Sequence, residues 1–302
     1  MSGSIMAWLA ALQGPAAAAT EKAEELDLSE IIMHHMTNSH ELELPGKTIT
    51  LPHWQPVQLG PLSIDFSLSK HVVFLLAAAV LVLLSMLLTA WRMKRLGPGA
   101  PKGFASVIEA MTLFVRDEIV MKNIGRGGQA YVPFITTLFF FILFANLLGL
   151  LPWGSTATSN ISVTAALAVM SFIAIEVSGM VALGPKKYMR TIFYAPPGMG
   201  PVGAGLMMVI MTPVEFLGKL AKPFALAVRL FANMTAGHLV ILAFIGLILL
   251  ALPMGAGSLV IIPGPIIMAV SIMVLEILVA LIQAYIFAML TAVFIGLIRH
   301  AH

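Results

Sequence analysis

The chain has no cysteine among its 302 residues. Disulfides, zinc–thiolate sites and thiol nucleophiles are therefore excluded, and the redox compartment has no marker. Charge is scarce as well: 10% of residues are Asp, Glu, Lys or Arg, where a soluble domain carries about a quarter. With 59% hydrophobic residues there is too little polar surface to wrap a water-soluble core, although the length would suffice for one or two such domains. A formal net charge of +3 and a pI near 9.2 would elsewhere suggest nucleic acid as a partner. Here the basic residues stand between apolar runs, where they report membrane topology, and nucleic acid is not expected. There is no internal repeat, and the only low-complexity tract is the alanine run at 16–19.

What the chain does have is long apolar runs, and a helix needs roughly 20 such residues to cross the hydrocarbon. His71 to Trp91 is the first run, with no acid, Lys or Arg. Tyr131 to Trp153 is the second, closed by the interfacial pair Pro152-Trp153, and Ile161 to Leu183 the third, with Glu176 as its one acid. Pro201 to about Leu252 and Ser258 to Ile298 follow, each far longer than one perpendicular crossing, which predicts tilted or bent helices. Between them Leu252-Pro253-Met254-Gly255-Ala256-Gly257 is a turn signal without charge, so the last two form a membrane-embedded hairpin. The expected fold is all-α and membrane-integral, with five embedded helices.

Basic residues set the orientation. Arg92, Lys94, Arg95, Lys102, Arg116, Lys122 and Arg126 lie between the first two spans, Lys186, Lys187 and Arg190 between the third and fourth, and Arg299 at the C-terminus. Connections 154–160 and 253–257 carry none, which puts the N-terminus outside and the C-terminus in the cytoplasm or its organellar equivalent. Residues 1–20 are apolar but have no preceding Lys or Arg; a cleaved signal stays open, while an Arg-rich transit peptide is disfavoured. This favours a bacterial inner membrane over a mitochondrial one. Residues 1–70 are expected to form an outer region, with Pro-bounded extended pieces over 21–70, while 71–183 form the first three spans and 184–302 the hairpin. Residues 101–123 suggest an amphipathic helix at the inner surface, with Val107, Met111, Phe114 and Val115 on one side.

Glu215, Lys219, Lys222, Arg229, Asn233 and His238 sit inside the fourth stretch, and Glu276 and Gln283 inside the fifth. A charge at the centre of a spanning helix costs about 2.5–3.5 kcal/mol on insertion scales, so each needs a reason. Lys219 and Lys222 lie nearer the cytoplasmic end and are able to snorkel. At about 100° per residue, Glu215, Lys222, Arg229 and Asn233 share a narrow stripe. Ala225, Ala232 and Ala236 flank Arg229, small residues that let another helix come close, and that partner is expected to bring a carboxylate. In an antiparallel hairpin, residues at one level have a nearly constant sum of residue numbers. His238 is then level with Glu276, and Gln283 with Arg229. A His–Glu pair is a suitable proton relay. Glu215 lies on the cytoplasmic side of Arg229, either on a proton path or paired with Lys219 or Lys222.

Lys222-Pro223-Phe224-Ala225-Leu226-Ala227-Val228-Arg229-Leu230-Phe231-Ala232-Asn233-Met234-Thr235-Ala236-Gly237-His238 closely resembles the signature helix of the ATP synthase a subunit family. Leu281-Ile282-Gln283-Ala284-Tyr285-Ile286-Phe287 resembles that family's final helix, and His34-His35 and Asn160-Ile161-Ser162-Val163-Thr164 resemble further landmarks. The resemblance runs from about residue 30 to the end. It implies a non-catalytic stator subunit without cofactor, beside a ring of c subunits and the b-subunit peripheral stalk, surrounded by lipid and carrying protons through two half-channels. Arg229 would then keep the half-channels from short-circuiting and drive deprotonation of the passing ring carboxylate. Asn233 and Gln283 would line its surroundings, His238 and Glu276 the outer half-channel, and Glu215 the inner one. Some members carry the acid on the Arg helix and the His on the last helix; here the two are exchanged.

Blander readings stand beside these. In these, Arg229 snorkels or bonds backbone carbonyls, His238 and Glu276 form a static pair, and Asn233 and Gln283 are interhelical glue. Glu176 has no assigned role. His34, His35 and His40 would be the only metal candidate, and loop histidines are commonplace. A stand-alone cation/proton antiporter would favour inverted repeats, which are not seen. An intramembrane hydrolase lacks a Ser/His or HExxH constellation, and a structural anchor leaves the charges unexplained.

Overall fold

A computed structural model describes residues 41–44, 47–52, 57–59, 62–64, 67, 69–96, 102–151, 156–193 and 201–299. The protein is helical and membrane-integral: five helices are long and apolar enough to cross a membrane, Lys70–Leu96, Gly128–Gly149, Ile161–Leu183, Gly205–Gly255 and Ser258–Arg299. These match the five apolar runs. The described chain divides into two compact units, residues 1–70 with 235–278, and residues 71–234 with 279–302.

The first unit holds two small antiparallel ladders, in line with the extended pieces expected before residue 70. Strand β1 (Glu41–Leu44) pairs with β2 (Lys47–Thr50) with Leu44 opposite Lys47, and β3 (Val57–Leu59) pairs with β4 (Leu62–Ile64) with Leu59 opposite Leu62.

The helices are α1 (Lys70–Leu96), α2 (Phe104–Phe114), α3 (Val132–Gly149), α4 (Ile161–Leu183), α5 (Pro185–Ile192), α6 (Pro201–Ala251) and α7 (Pro263–Arg299). Their ends follow local chemistry. The Asn160 side chain accepts from the Ser162 N–H at 2.9 Å and so caps α4, and Gly184, at φ 76, ends it in a conformation L side chains rarely adopt. Pro185 then opens α5 where its missing N–H does no harm. Between α6 and α7 the Pro/Gly-rich segment Leu252–Gly257 forms a 3₁₀ turn, the charge-free turn expected there. Pro213 and Pro223 lie inside α6 and remove the N–H groups that would bond the carbonyls one turn back, of Val209 and Lys219.

The core lies in the second unit. Phe139 and Phe140 of α3 meet edge to face at 5.3 Å and pack with Ile119, Ile124, Leu230, Phe287 and Ile295. A buried bond from the Thr158 hydroxyl to Asn146 Oδ1, 2.7 Å, ties α3 to the segment leading into α4. On α7, Ala280, Ala284, Ala288 and Ala292 recur every fourth residue with no exposed surface, and Gly296 continues the row. The row lets neighbouring backbone come close, and at Gly296 that backbone is the Asn123 carbonyl, where a Cβ has no space.

Of the stripe expected on 101–123, Val115 is buried and Met111 half-buried. Val107 and Phe114 are exposed, and the buried side runs through Ala105, Ile108, Val115, Ile119, Val120 and Ile124. A π-helical turn over Val115–Met121, with its wider hydrogen-bond ring, carries the chain from α2 into this second half. In a membrane protein the outward face is apolar too, so hydrophobicity alone does not tell it from the packed one.

Replacing Gly296 by Ala is expected to lower the thermal stability of the detergent-solubilised protein by about 1–3 kcal/mol, since the Asn123 carbonyl has no rotamer with which to yield. Gly205→Ala, where a Cβ meets nothing within 4 Å, should leave stability unchanged or slightly raised; equal melting of both variants would refute the close approach.

Candidate functional site

In the first unit α7 brings Glu276 to the level of His238, as the hairpin register predicts. Glu276 is 4% exposed, and its carboxyl group rests against Gly237, where an added Cβ would overlap Oε1. Only glycine lets the acid reach this place on α6. The other carboxyl oxygen, Oε2, is buried without a hydrogen-bond partner, and so is the Thr235 hydroxyl of the same unit. His238 itself is half-buried. An acid with one uncommitted oxygen at the level of a histidine is chemically able to exchange protons.

In the second unit the Arg229 side chain is exposed on α6, with Ala225 and Ala232 exposed beside it, while Leu226, Ala227 and Leu230 on the other side are buried. Among the described residues it has neither ion pair nor hydrogen bond, which goes against the bland reading of an arginine bonded to backbone carbonyls. One turn further on, Asn233 Nδ2 donates to Gln283 Oε1 at 3.0 Å, and Gln283 is 2% exposed. This bond fixes α6 to α7 next to the arginine. The face around Arg229 is thus open, with small side chains on either side of the charge.

A cavity of about 160 Å³ opens in the same unit, lined by Ser171 and Glu176 of α4, Thr191 of α5, Glu215, Lys219 and Lys222 of α6, and Phe294 of α7. Glu215 is exposed at it. Lys219 Nζ lies 3.5 Å from Glu176 Oε2 and donates to the Tyr188 hydroxyl at 3.5 Å, with the same ring 4.7 Å below it. Lys222 Nζ stands 4.7 Å from the Phe294 ring centre. The pairing of Glu215 with Lys219 or Lys222, left open by the sequence, is therefore not what the structure has: Lys219 goes to Glu176. Glu176 is the residue of this cavity that sequence reading left without a role. Its signal was present, a lone acid within an apolar span, but a single sequence does not say which cation answers it.

His34, His35 and His40 lie outside the described residues. Among the described residues no three His, Cys, Asp or Glu side chains gather as metal ligands would.

Comparison with known proteins gives a family match. The family model described as ATP synthase A chain matches residues 72–296. Subunit a of the ATP synthase of Chloroherpeton thalassium is 41% identical over 266 residues, covering 88% of this chain and 75% of its own. That of Anaeromyxobacter dehalogenans is 39% identical over 311 residues, covering 98% and 78%, and that of Myxococcus xanthus 43% over 236 residues, covering 78% and 73%.

The fit of Glu276 against Gly237 generates a double-variant experiment. Gly237→Ala should destabilise the protein by about 1–3 kcal/mol, and Gly237→Ala with Glu276→Ala should recover most of that loss. Strictly additive effects would show that the two residues do not touch.

Proposed function

This chain belongs to the ATP synthase A chain family, and on that premise we propose how its polar groups divide the work of passing protons. It is the membrane-embedded stator subunit of an F-type ATP synthase, through which proton flow is coupled to ATP synthesis. In the reading advanced here it performs no bond chemistry of its own. It works against a ring of c subunits, held by the b-subunit peripheral stalk, in a bacterial inner membrane with its N-terminus outside and C-terminus in the cytoplasm. The 184–302 segment carries the proton path, and residues 71–183 brace it.

The observation that carries the reading is Arg229, exposed between Ala225 and Ala232 and, among the described residues, without an ion pair or hydrogen bond. A guanidinium keeps its proton at any cellular pH, so Arg229 relays nothing itself. What it does is favour the charged form of a carboxylate that approaches it. A protonated ring carboxylate arriving at Arg229 loses its proton and continues as the anion paired with the cation. It takes up another proton only once it has passed. His238 and Glu276 serve exchange with the outer side, and Glu215 with the inner side through the cavity it opens on. Asn233 and Gln283 keep α6 and α7 locked beside Arg229, so that the cation meets each ring carboxylate at the same place. The fixed positive charge also repels a proton attempting to cross directly from one path to the other.

Arg229→Ala is expected to abolish ATP-driven acidification of inverted membrane vesicles, a fall of about 100-fold or more, while the complex assembles normally. Pumping at the parental rate in an assembled complex would overturn the gate, and an antiporter mechanism would then be the next to test.

A further inference from the structure

Glu215 and Lys219 are one helical turn apart with the acid first, the order in which such pairs support an isolated helix. On α6 alone they would pair. Instead Lys219 Nζ reaches across to Glu176 Oε2 on α4 and to the Tyr188 hydroxyl on α5, and Glu215 has no ion pair among the described residues. Burial decides the competition. The side chains of Lys219 and Glu176 are 11% and 15% exposed, whereas Glu215 is exposed. An acid enclosed in an apolar helix must be answered by a cation, and one open to the cavity has no such need. The second lysine is occupied elsewhere as well, its Nζ over the Phe294 ring. Ser171, fully buried and with its hydroxyl unpartnered, lines the same cavity. The cavity thus contains one uncommitted carboxylate, with both nearby ammonium groups held by other partners.

We propose that Glu176 is a positioning residue of the proton path: by holding Lys219 across the cavity wall, it keeps that ammonium off Glu215 and leaves Glu215 able to take up and give back protons. The proposal rests on the assignment of Glu215 to the inner path made above. Without Glu176, Lys219 is released into the i,i+4 position on Glu215. A carboxylate so paired is held in its charged form and no longer cycles.

The test is ATP-driven acidification of inverted vesicles, with ATP hydrolysis and complex assembly measured on the same membranes. Glu176→Gln is expected to reduce pumping about tenfold, Glu176→Asp to retain most of it, and Glu176→Gln with Lys219→Gln to recover most of the loss because the released cation is gone. Recovery on deleting a second charge separates positioning from a structural role, in which the double variant would be no better than the single one. Undiminished pumping in Glu176→Gln, or an assembled double variant that remains as impaired as the single, overturns the proposal. If Glu176→Gln fails to assemble, the double variant decides alone: pumping supports the proposal and stalling refutes it. Arg229→Ala is measured alongside, since pumping that survives there indicts the channel reading and not the role of Glu176.

Discussion

A guanidinium stays charged at any pH a cell meets, and within an apolar helix that charge has to be answered by another group. Among the described residues of this protein it is not answered from within. Arg229 stands on the exposed side of α6 between alanines, and the nearest polar bond, Asn233 to Gln283, is already complete without it. The remainder of the second unit follows from keeping that cation available. The helix carrying it has to be fixed by groups that do not neutralise it, hence an amide pair and an apolar seam through Leu226 and Leu230. A carboxylate in the same place would fix the helix more tightly and silence the arginine.

The same competition for countercharge recurs at the cavity. Sequence proximity favours Glu215 for Lys219, and burial favours Glu176. The outcome shows which term is larger: an i,i+4 pair on a helix surface is worth about 0.3–0.5 kcal/mol, while an unpaired enclosed acid costs several times that. Charge placement at this cavity is thus set by which groups lack access to solvent, and the acid left over there is the exposed Glu215.

Most of the architecture could be read from the chain. The five spans follow from run length, the hairpin from a charge-free Pro/Gly turn, and the level of Glu276 with His238 from antiparallel register. Two things were less legible, for related reasons. The packed face of 101–123 was not legible because lipid-facing and core-facing residues are both apolar, and a π turn shifts the phase. Glu176 was left without a role because its partner lies forty-three residues away on another helix, at a crossing that no local spacing encodes. The glycine that admits Glu276 belongs to the same class. Gly237 was visible in the motif, but why glycine had to stand there depended on a side chain from the other arm of the hairpin.

The row of Ala280, Ala284, Ala288, Ala292 and Gly296 has a mechanical consequence. Side chains that interlock through rotatable bonds yield under load by changing rotamer. Methyl groups and bare backbone have no such freedom, so a seam made from them deforms only if whole helices move. A part that must hold still while its neighbour turns gains from such a joint. Force applied to α7 passes into the body of the second unit with little give, and less of each rotation step is lost in elastic play.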